Sequence, residues 1–237
     1  MVIELDVNKM TWKQVHQWIR SGYAESMIGM NAKKDLFNRH GYKIATMRLV
    51  DFDRDVDKNG DKIKTTWIAS ESTLRCSMNV DTNGNSTTLG GWSSSEARNY
   101  LNDYIFEQLP EDLQNAIVPA IKKSDSRKPF TLNPGRRYFP SIIQTIDKIW
   151  IPSMEEVFGN WFESLQGQGR QYKRFSESFS STFFNKHPEE YVGDFAWSRS
   201  SLIDSSAEFL CFTGNKDIVY ASRDASEELI IPISFCI

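Results

Sequence analysis

Two apolar segments joined by a short acidic one constrain the fold of this chain more than any other feature. Residues 42–53 read YKIATMRLVDFD and residues 63–70 read IKTTWIAS, both rich in apolar and β-branched side chains. Between them, RDVDKNGDK (54–62) is rich in Asp, Asn and Gly, the residues that favour turns. Strands joined by so short a connection pair antiparallel. The sequence therefore predicts a β-hairpin with an acidic tip.

Short helices are predicted on both sides of this hairpin. The segment TWKQVHQWIRSG (11–22) begins at Thr11, a favourable N-cap, and ends at a glycine, so it predicts an N-terminal helix. The segment GGWSSSEARNYLND (90–103) predicts a second helix, in which Ser93 and Glu96 fit a capping box.

The spacing of apolar residues predicts which side of these helices faces the core. In the second helix the inward stripe is Ala97, Tyr100, Leu101, Tyr104 and Ile105. A third helix is predicted over LPEDLQNAIVPAI (109–121), with Leu113, Ile117 and Ile121 facing inward.

The C-terminal part of the chain is rich in strand-like segments separated by turns. These segments are FAWSRSS (195–201), AEFLCFTG (207–214), DIVYASR (217–223) and LIIPISFCI (229–237). Helices and strands do not alternate as they do in βαβ units. We therefore expect a single α+β domain over 1–237, with short helices around a twisted, mostly antiparallel sheet and long ordered loops.

Residues 160–195 are predicted to form an irregular, aromatic-rich insertion. Its rings are Trp161, Phe162, Tyr172, Phe175, Phe179, Phe183, Phe184 and Tyr191. Because large exposed apolar patches mark contact surfaces, we expect this segment to meet a partner.

The acidic tip carries the clearest metal-binding pattern in the sequence. Asp55, Asp57, Asn59 and Asp61 alternate around Gly60, as in the first half of a calcium loop. The twelfth position of such a loop lacks the usual Glu, and the same residue types are common at exposed hairpin tips. Calcium binding and a plain turn are both open, with the plain turn favoured.

Other patterns exclude classes of function. The three histidines and three cysteines are scattered, so no zinc site is expected. Cys211 and Cys236 are placed on adjacent strands, where a small buried apolar pair is favoured over a redox couple. Basic residues concentrate between Lys122 and Arg174, but without a recognition motif they favour a solvated loop over a nucleic-acid site. The opening residues MVIELDVNKM do not resemble a secretory signal, and no apolar run reaches the length of a membrane span, so neither is expected in this sequence.

Two groups combine an indole with polar side chains. Trp92, Arg98 and Asn102 form one group, and Trp197 with Arg199 forms the other. Such side chains either tie irregular loops to the scaffold through backbone hydrogen bonds or hold a ligand. The tethering role is favoured for both groups.

Five segments recur in a characteristic order: GGWSSSEARNYLN, LPEDLQNAI, IWIPSMEEVFG, FAWSRSS and IIPISFCI. Together they resemble an uncharacterised domain family of phage tail-associated proteins and gut-bacterial surface proteins. The matching residues are Trp92, Ser95, Arg98, Leu101 and Asn102; Pro152, Ser153, Glu156, Val157, Phe158 and Gly159, with Ile151 in place of Leu; and Trp197, Arg199, Ser200, Pro232, Phe235 and Ile237.

This family is distantly similar to the C-type-lectin-like fold, which sugar-binding domains share with formylglycine-generating enzymes. The resemblance implies a non-catalytic binding or structural module of a bacteriophage particle, in its tail, baseplate or fibre. Expected partners are other virion proteins, or a host-surface glycan or protein, within an oligomeric assembly. The alternatives are an enzyme on the same scaffold, either a carbohydrate-active hydrolase or a formylglycine-type oxidase, and a bacterial surface adhesin domain.

Overall fold

Short helices and three β-sheets make up the fold. The computed structural model describes residues 5–126, 141–159, 166–177, 195–213 and 220–237. Its α-helices are α1 (Trp12–Arg20), α2 (Ala24–Met27), α3 (Glu96–Asn99), α4 (Phe106–Gln108), α5 (Glu111–Gln114), α6 (Met154–Phe158) and α7 (Lys173–Glu177). Its strands are β1 (Lys33–Phe37), β2 (Lys43–Phe52), β3 (Thr65–Ser72), β4 (Arg75–Cys76), β5 (Ala120–Ser126), β6 (Ser141–Asp147), β7 (Ala196–Ser201), β8 (Glu208–Phe212), β9 (Tyr220–Asp224), β10 (Leu229–Ile230) and β11 (Ser234–Cys236).

Helix α1 is the first predicted helix, and a reciprocal cap fixes its start. The Thr11 side chain accepts a hydrogen bond from the backbone N–H of Gln14, whose own side chain accepts one from the N–H of Thr11. Trp12 is buried and lies edge-on to Trp67 and Phe235, with ring centroids 5.6 and 5.4 Å away. These contacts hold the helix against the first sheet, and the predicted helix start is confirmed.

The predicted hairpin forms the centre of the first sheet. Strands β2 and β3 pair antiparallel, with Ala45 opposite Ser72 and Phe52 opposite Thr65. The strand order is β1-β2-β3-β11, and both outer strands also pair antiparallel with their neighbours. The hairpin prediction is confirmed, and its outer partner β11 comes from the far end of the sequence.

Two turns of the same sequence type, DKNGD (57–61) and DTNGN (81–85), share one hydrogen-bond pattern. In each, Oδ1 of the first Asp accepts the backbone N–H groups two and four residues later, at 2.8 and 2.9 Å. Gly60 and Gly84 have φ values of +87° and +81°, which glycine adopts without strain. The acidic tip is therefore a turn stabilised by its own side chain.

The second predicted helix begins two residues later than expected. Its N-cap is Ser95, whose side chain accepts the backbone N–H of Arg98. The predicted capping box of Ser93 and Glu96 is wrong, because Ser93 lies within a 3₁₀ turn (Gly91–Ser94) and donates to a carbonyl at its start.

A π-helical segment, Tyr100–Ile105, lies between α3 and α4. Ala97, Leu101 and Ile105 are buried, as predicted, but Tyr104 is 56 % exposed. The wider turn of the π-helix places Leu101 and Ile105, four residues apart, on the buried side and rotates Tyr104 to solvent. The predicted inward orientation of Tyr104 is therefore wrong.

The third predicted helix is shorter than expected. Helix α5 ends at Gln114, and β5 begins at Ala120, where it pairs antiparallel with β6. Pro119 has no N–H with which to continue a helix. In the strand, alternation buries Ala120 and Lys122 and leaves Ile121 only half-buried, so the predicted inward orientation of Ile121 is wrong.

The predicted C-terminal strands build a second sheet with the order β4-β10-β7-β8-β9. Its neighbours pair antiparallel except β10 and β7, which are parallel. Cys211 lies on β8 of this sheet, whereas Cys236 lies on β11 of the first sheet. Both thiols are buried and free, but the prediction that they occupy adjacent strands is wrong, because the chain changes sheets over residues 231–233.

Short helices combined with largely antiparallel sheets make this an α+β fold, as predicted. Two rings of the predicted exposed insertion, Tyr172 and Phe175, are buried in an apolar cluster beside β2 and β8, so they do not form a contact surface. The other predicted rings of 160–195 lie outside the described residues. In the described part of the chain, every helix is too short or too polar to cross a membrane.

The close approach of Gly91 to β5 generates a prediction. A Cβ at Gly91 would overlap the carbonyl oxygen of Asp125, and its φ of +57° is already left-handed. We expect Gly91→Ala to lower the free energy of unfolding by more than about 3 kcal/mol, measured by urea denaturation. The control Gly84→Ala, with φ +81° but open space around the new Cβ, is expected to cost about 1 kcal/mol. Equal losses in the two variants would contradict this packing.

Candidate functional site

Trp92 and Arg98 converge on one buried carboxylate. Asp147 is fully buried at the end of β6, and its Oδ1 accepts a 2.7 Å hydrogen bond from Nε of Arg98. Its Oδ2 accepts bonds from Nε1 of Trp92 at 2.9 Å and from the hydroxyl of Thr145 at 2.7 Å. The two predicted residues therefore fasten the helical segment to the β5–β6 hairpin.

Both the oxygen and the nitrogen of the Asn102 side-chain amide form hydrogen bonds with backbone groups. Its Oδ1 accepts the N–H groups of Lys148 and Ile149 at 2.9 and 3.2 Å. Its Nδ2 donates to the carbonyl oxygens of Ile149 and Arg98 at 2.8 and 3.1 Å. One side chain thus satisfies the backbone of the connection after β6, which has no strand partner there.

Trp197 and Arg199, both on β7, hydrogen-bond to different parts of the chain. Nε1 of Trp197 donates to the carbonyl oxygen of Cys76 at 3.0 Å. Arg199 is fully buried, and its guanidinium donates to three backbone carbonyl oxygens, those of Lys123, Ile151 and Gln168, at 3.0, 2.8 and 2.7 Å. This one side chain joins strand β5 to two separate connections of the chain.

Arg199 also belongs to a buried charged cluster of five side chains. The members are Asp55, Lys122, Glu156, Tyr172 and Arg199, all less than 10 % exposed. They come from the β2–β3 connection, β5, α6, the approach to α7 and β7. The cluster is the point at which these five parts of the fold meet.

Lys122 and Glu156 occupy the centre of the buried charged cluster. Nζ of Lys122 lies 2.7 Å from Oδ1 of Asp55, 2.7 Å from Oε1 of Glu156 and 2.9 Å from the hydroxyl oxygen of Tyr172. The other oxygen of Glu156 accepts a 2.5 Å bond from the guanidinium of Arg199. Two cations therefore face two anions, and no net charge is buried.

The capping box of α6 orients Glu156 toward this cluster. Ser153 accepts the backbone N–H of Glu156, and Oε2 of Glu156 accepts the N–H of Ser153 at 3.1 Å. The preceding carboxylate, Glu155, points elsewhere and accepts the N–H groups of Gly167 and Gly169. A local helix cap thus places one carboxylate in the interior and another beneath a loop.

Charge pairing outweighs burial in setting the protonation of this cluster. Burial alone raises the pKa of Glu156, but the charges of Arg199 and Lys122 lower it to about 2. Burial alone lowers the pKa of Lys122, yet Asp55 and Glu156 raise it above its ordinary value. Burial and the neighbouring Asp55 raise the pKa of the Tyr172 hydroxyl well above its usual range. Lys122, Glu156 and Arg199 are therefore ionised at neutral pH, while Tyr172 is neutral.

The residues predicted to bind calcium point in different directions. The Asp55 carboxylate faces the buried cluster, where the hydroxyl of Thr66 also donates to it at 2.7 Å. Asp57 lies at the exposed tip and accepts hydrogen bonds from Asn59 and Asp61. Within the described ranges, no group of three or more His, Cys, Asp or Glu side chains is arranged to hold a metal ion. Calcium binding stays a prediction.

A shallow cavity of about 240 Å³ lies between the acidic tip and α1. Its charged side chains are three cations, Arg20, Lys62 and Lys64, and two anions, Asp57 and Asp61. Burial lowers the pKa of His16 at its edge, with a smaller contribution in the same direction from Arg20. The lining therefore carries charges of both signs.

Sequence reasoning missed three members of the buried cluster: Lys122, Glu156 and Tyr172. Lys122 was included in a basic segment expected to be solvated, but the alternation of β5 turns it inward. The available signal is the spacing of Ser153 and Glu156, which fits the capping box of α6 but does not reveal the other partners of the Glu156 carboxylate.

Asn102 generates a stability prediction. Asn102→Ala leaves two backbone N–H groups and a carbonyl without their partner, so we expect the free energy of unfolding to fall by about 2–4 kcal/mol. The control is Asn99→Ala, one helical turn earlier, where the side chain is exposed and a change within about 0.5 kcal/mol is expected. Urea denaturation of both variants measures the difference, and similar losses would contradict the tethering role.

Glu156 generates a pH prediction. Its pKa is about 2 in the folded chain and 4.5 in the absence of structure, so its contribution to stability is complete above pH 4.5 and is lost as the pH falls toward 2. Glu156→Gln cannot ionise at this position. We therefore expect the wild type to exceed the variant in free energy of unfolding at neutral pH, with a difference that narrows between pH 4.5 and 2. A difference that stays constant over this interval would contradict the buried ion pairing.

Comparison with known proteins gives a family but no function. Searches of curated proteins and of solved structures found no match. One family matches residues 59–229, a span that includes Trp92, Arg98, Asn102 and Arg199 together with Lys122 and Glu156 of the buried cluster. Asp55 precedes the matched span. Because the match covers more than half of the chain, the protein belongs to DUF6273, a family defined by a domain of unknown function.

Proposed function

We propose that this protein is a non-catalytic binding or structural module of a bacteriophage particle, associated with the tail, baseplate or fibre. The observation that carries the proposal is that the polar side chains predicted either to tether loops or to hold a ligand form hydrogen bonds within the chain. Arg98, Asn102 and Arg199 direct their donors to buried backbone carbonyls and carboxylates within the chain. Side chains committed in this way hold loops in one conformation, which lowers the entropic cost of recognition.

The proposed architecture is C-type-lectin-like, with long ordered loops anchored on short helices and antiparallel strands. The tethers described above support it, because each joins a loop to a helix or strand of the scaffold. The resemblance of GGWSSSEARNYLN and FAWSRSS to the phage tail-associated family supports the phage context. The same two segments contain most of the tethering residues. The proposed partners are other virion proteins or a host-surface glycan or protein, with the chain working as part of an oligomeric assembly.

The π-helical segment supplies a contact surface for such a partner. The ring of Tyr104 is 56 % exposed and stacks on Tyr100, with centroids 5.5 Å apart and planes 18° from parallel. Asp103 and Glu107 are exposed beside it. Exposed aromatic rings next to hydrogen-bonding groups suit both protein interfaces and the apolar faces and hydroxyls of sugars.

Two experiments test this function. Mass spectrometry of purified particles is expected to detect the chain as a component, and its absence from the particles would contradict the virion assignment. The recombinant chain is then assayed for binding to host cells and to a glycan array, together with a test for glycan hydrolysis. We expect binding without turnover, whereas hydrolysis would favour the enzyme alternative.

The proposed contact surface has its own variant test. Tyr104→Ala is expected to weaken binding at least about tenfold, since exposed aromatic residues dominate the energetics of many interfaces. Tyr42→Ala is the matched control, because Tyr42 is 72 % exposed but lies in a turn after β1. Equal binding by the wild type and Tyr104→Ala would place the contact surface elsewhere.

A further inference from the structure

We propose that Lys122 and Asp55 form an intramolecular amide bond in the folded chain, with Glu156 carrying the proton. The proposal concerns the interior of the molecule and stands independently of the function proposed above. The product would be a covalent bond between strand β5 and the β2–β3 connection, which are 67 positions apart in the sequence.

The reacting groups already lie in contact. Nζ of Lys122 is 2.7 Å from Oδ1 of Asp55, so the carboxyl carbon lies one C–O bond beyond the contacting oxygen. The second carboxylate, that of Glu156, is also 2.7 Å from the same nitrogen. Fixed contacts of this kind raise the effective concentration of one reactant at the other to values on the order of 10⁵ M or higher.

The buried surroundings of Lys122 and Asp55 favour the amide over the ion pair. Lys122 is 2 % exposed, and its Nζ lies 4.5 Å from the centre of the Trp150 ring and 5.6 Å from that of Tyr172. Water, the product of condensation, is dilute in such a site. Burial also penalises both charges, and an amide removes them together.

Donors converge on the oxygen that an amide retains. Oδ2 of Asp55 accepts hydrogen bonds from the hydroxyls of Thr66 at 2.7 Å and Tyr172 at 3.1 Å. The same hydroxyls stabilise negative charge on this oxygen when the carboxyl carbon becomes tetrahedral. Oδ1, on the side of Lys122, is the oxygen that departs.

The reaction balances without an oxidant or reductant. The ammonium of Lys122 passes one proton to Oδ1 of Asp55 across their hydrogen bond, and the neutral amine attacks the carboxyl carbon. A second amine proton passes to Glu156 and from there to Oδ1. The Nζ–Cγ bond forms, the Cγ–Oδ1 bond breaks, and one water molecule leaves, with the third hydrogen kept on the amide nitrogen.

Arg199 holds the Glu156 carboxylate in position throughout the reaction. Its guanidinium holds one oxygen of Glu156 at 2.5 Å, which leaves the other directed at Lys122. Because Asp55 and Glu156 raise the pKa of Lys122, the ion pair is the starting state and the internal proton transfer is the slow entry to the reaction. Arg199 acts as a positioning residue and exchanges no proton.

Intact mass under denaturing conditions tests the bond. We expect the purified wild-type chain to be lighter than its sequence mass by one water molecule, and tandem mass spectrometry to find the peptides containing Asp55 and Lys122 joined. Lys122→Arg, which keeps the charge but supplies no neutral amine, is expected to show the full sequence mass. A wild-type chain that keeps its full mass after days at neutral pH would overturn the proposal and leave an ion pair.

If Lys122→Arg does not fold, two further variants still test for the amide bond. Asp55→Asn forms the same amide by losing ammonia, so its final mass is expected to equal that of the wild-type product. Glu156→Gln is expected to slow bond formation at least about 100-fold, as loss of a general acid–base group does. Formation at the wild-type rate in Glu156→Gln would remove Glu156 from the mechanism, and an Asp55→Asn chain that retains its ammonia would contradict the amide.

Discussion

The ion pair between Arg199 and Glu156 is the interaction on which the rest of the structure most depends. Both side chains are removed from water, so each would be costly to keep without the other. Their remaining hydrogen-bonding groups hold strand β5, two loops and the start of α6 in place. Removing one partner leaves a buried charge, at a cost of about 3–5 kcal/mol in comparable cases, and also releases the loops.

Local patterns were sufficient to predict the elements that depend on neighbouring residues. The cap at Thr11, the antiparallel hairpin and the strands near the C-terminal end all follow from spacing and turn chemistry within short segments. The errors occurred where one local pattern competed with another. Ser93 and Ser95 both resemble N-caps, and the left-handed glycine before the 3₁₀ turn decides between them.

The buried cluster was beyond local prediction because its members meet only through tertiary folding. In the sequence Asp55 alternates with Asp57 as part of the acidic tip, and no local pattern indicates that its carboxylate faces the interior. Lys122 was counted among basic loop residues, yet its partner Asp55 is 67 positions away. The sequence predicts that Asn102 hydrogen-bonds to the backbone of a loop, but it does not indicate that its partners are Lys148 and Ile149.

The first sheet has a consequence for how the protein is made. Strand β3 is laid down early, but its outer neighbour β11 follows only after the whole second sheet, and the hydroxyl of Thr65 donates to a carbonyl 172 positions later. Contacts this distant in sequence slow folding, because the intervening chain must be ordered before they form. During synthesis on the ribosome, β3 therefore presents an open edge to other nascent chains until the last strand emerges.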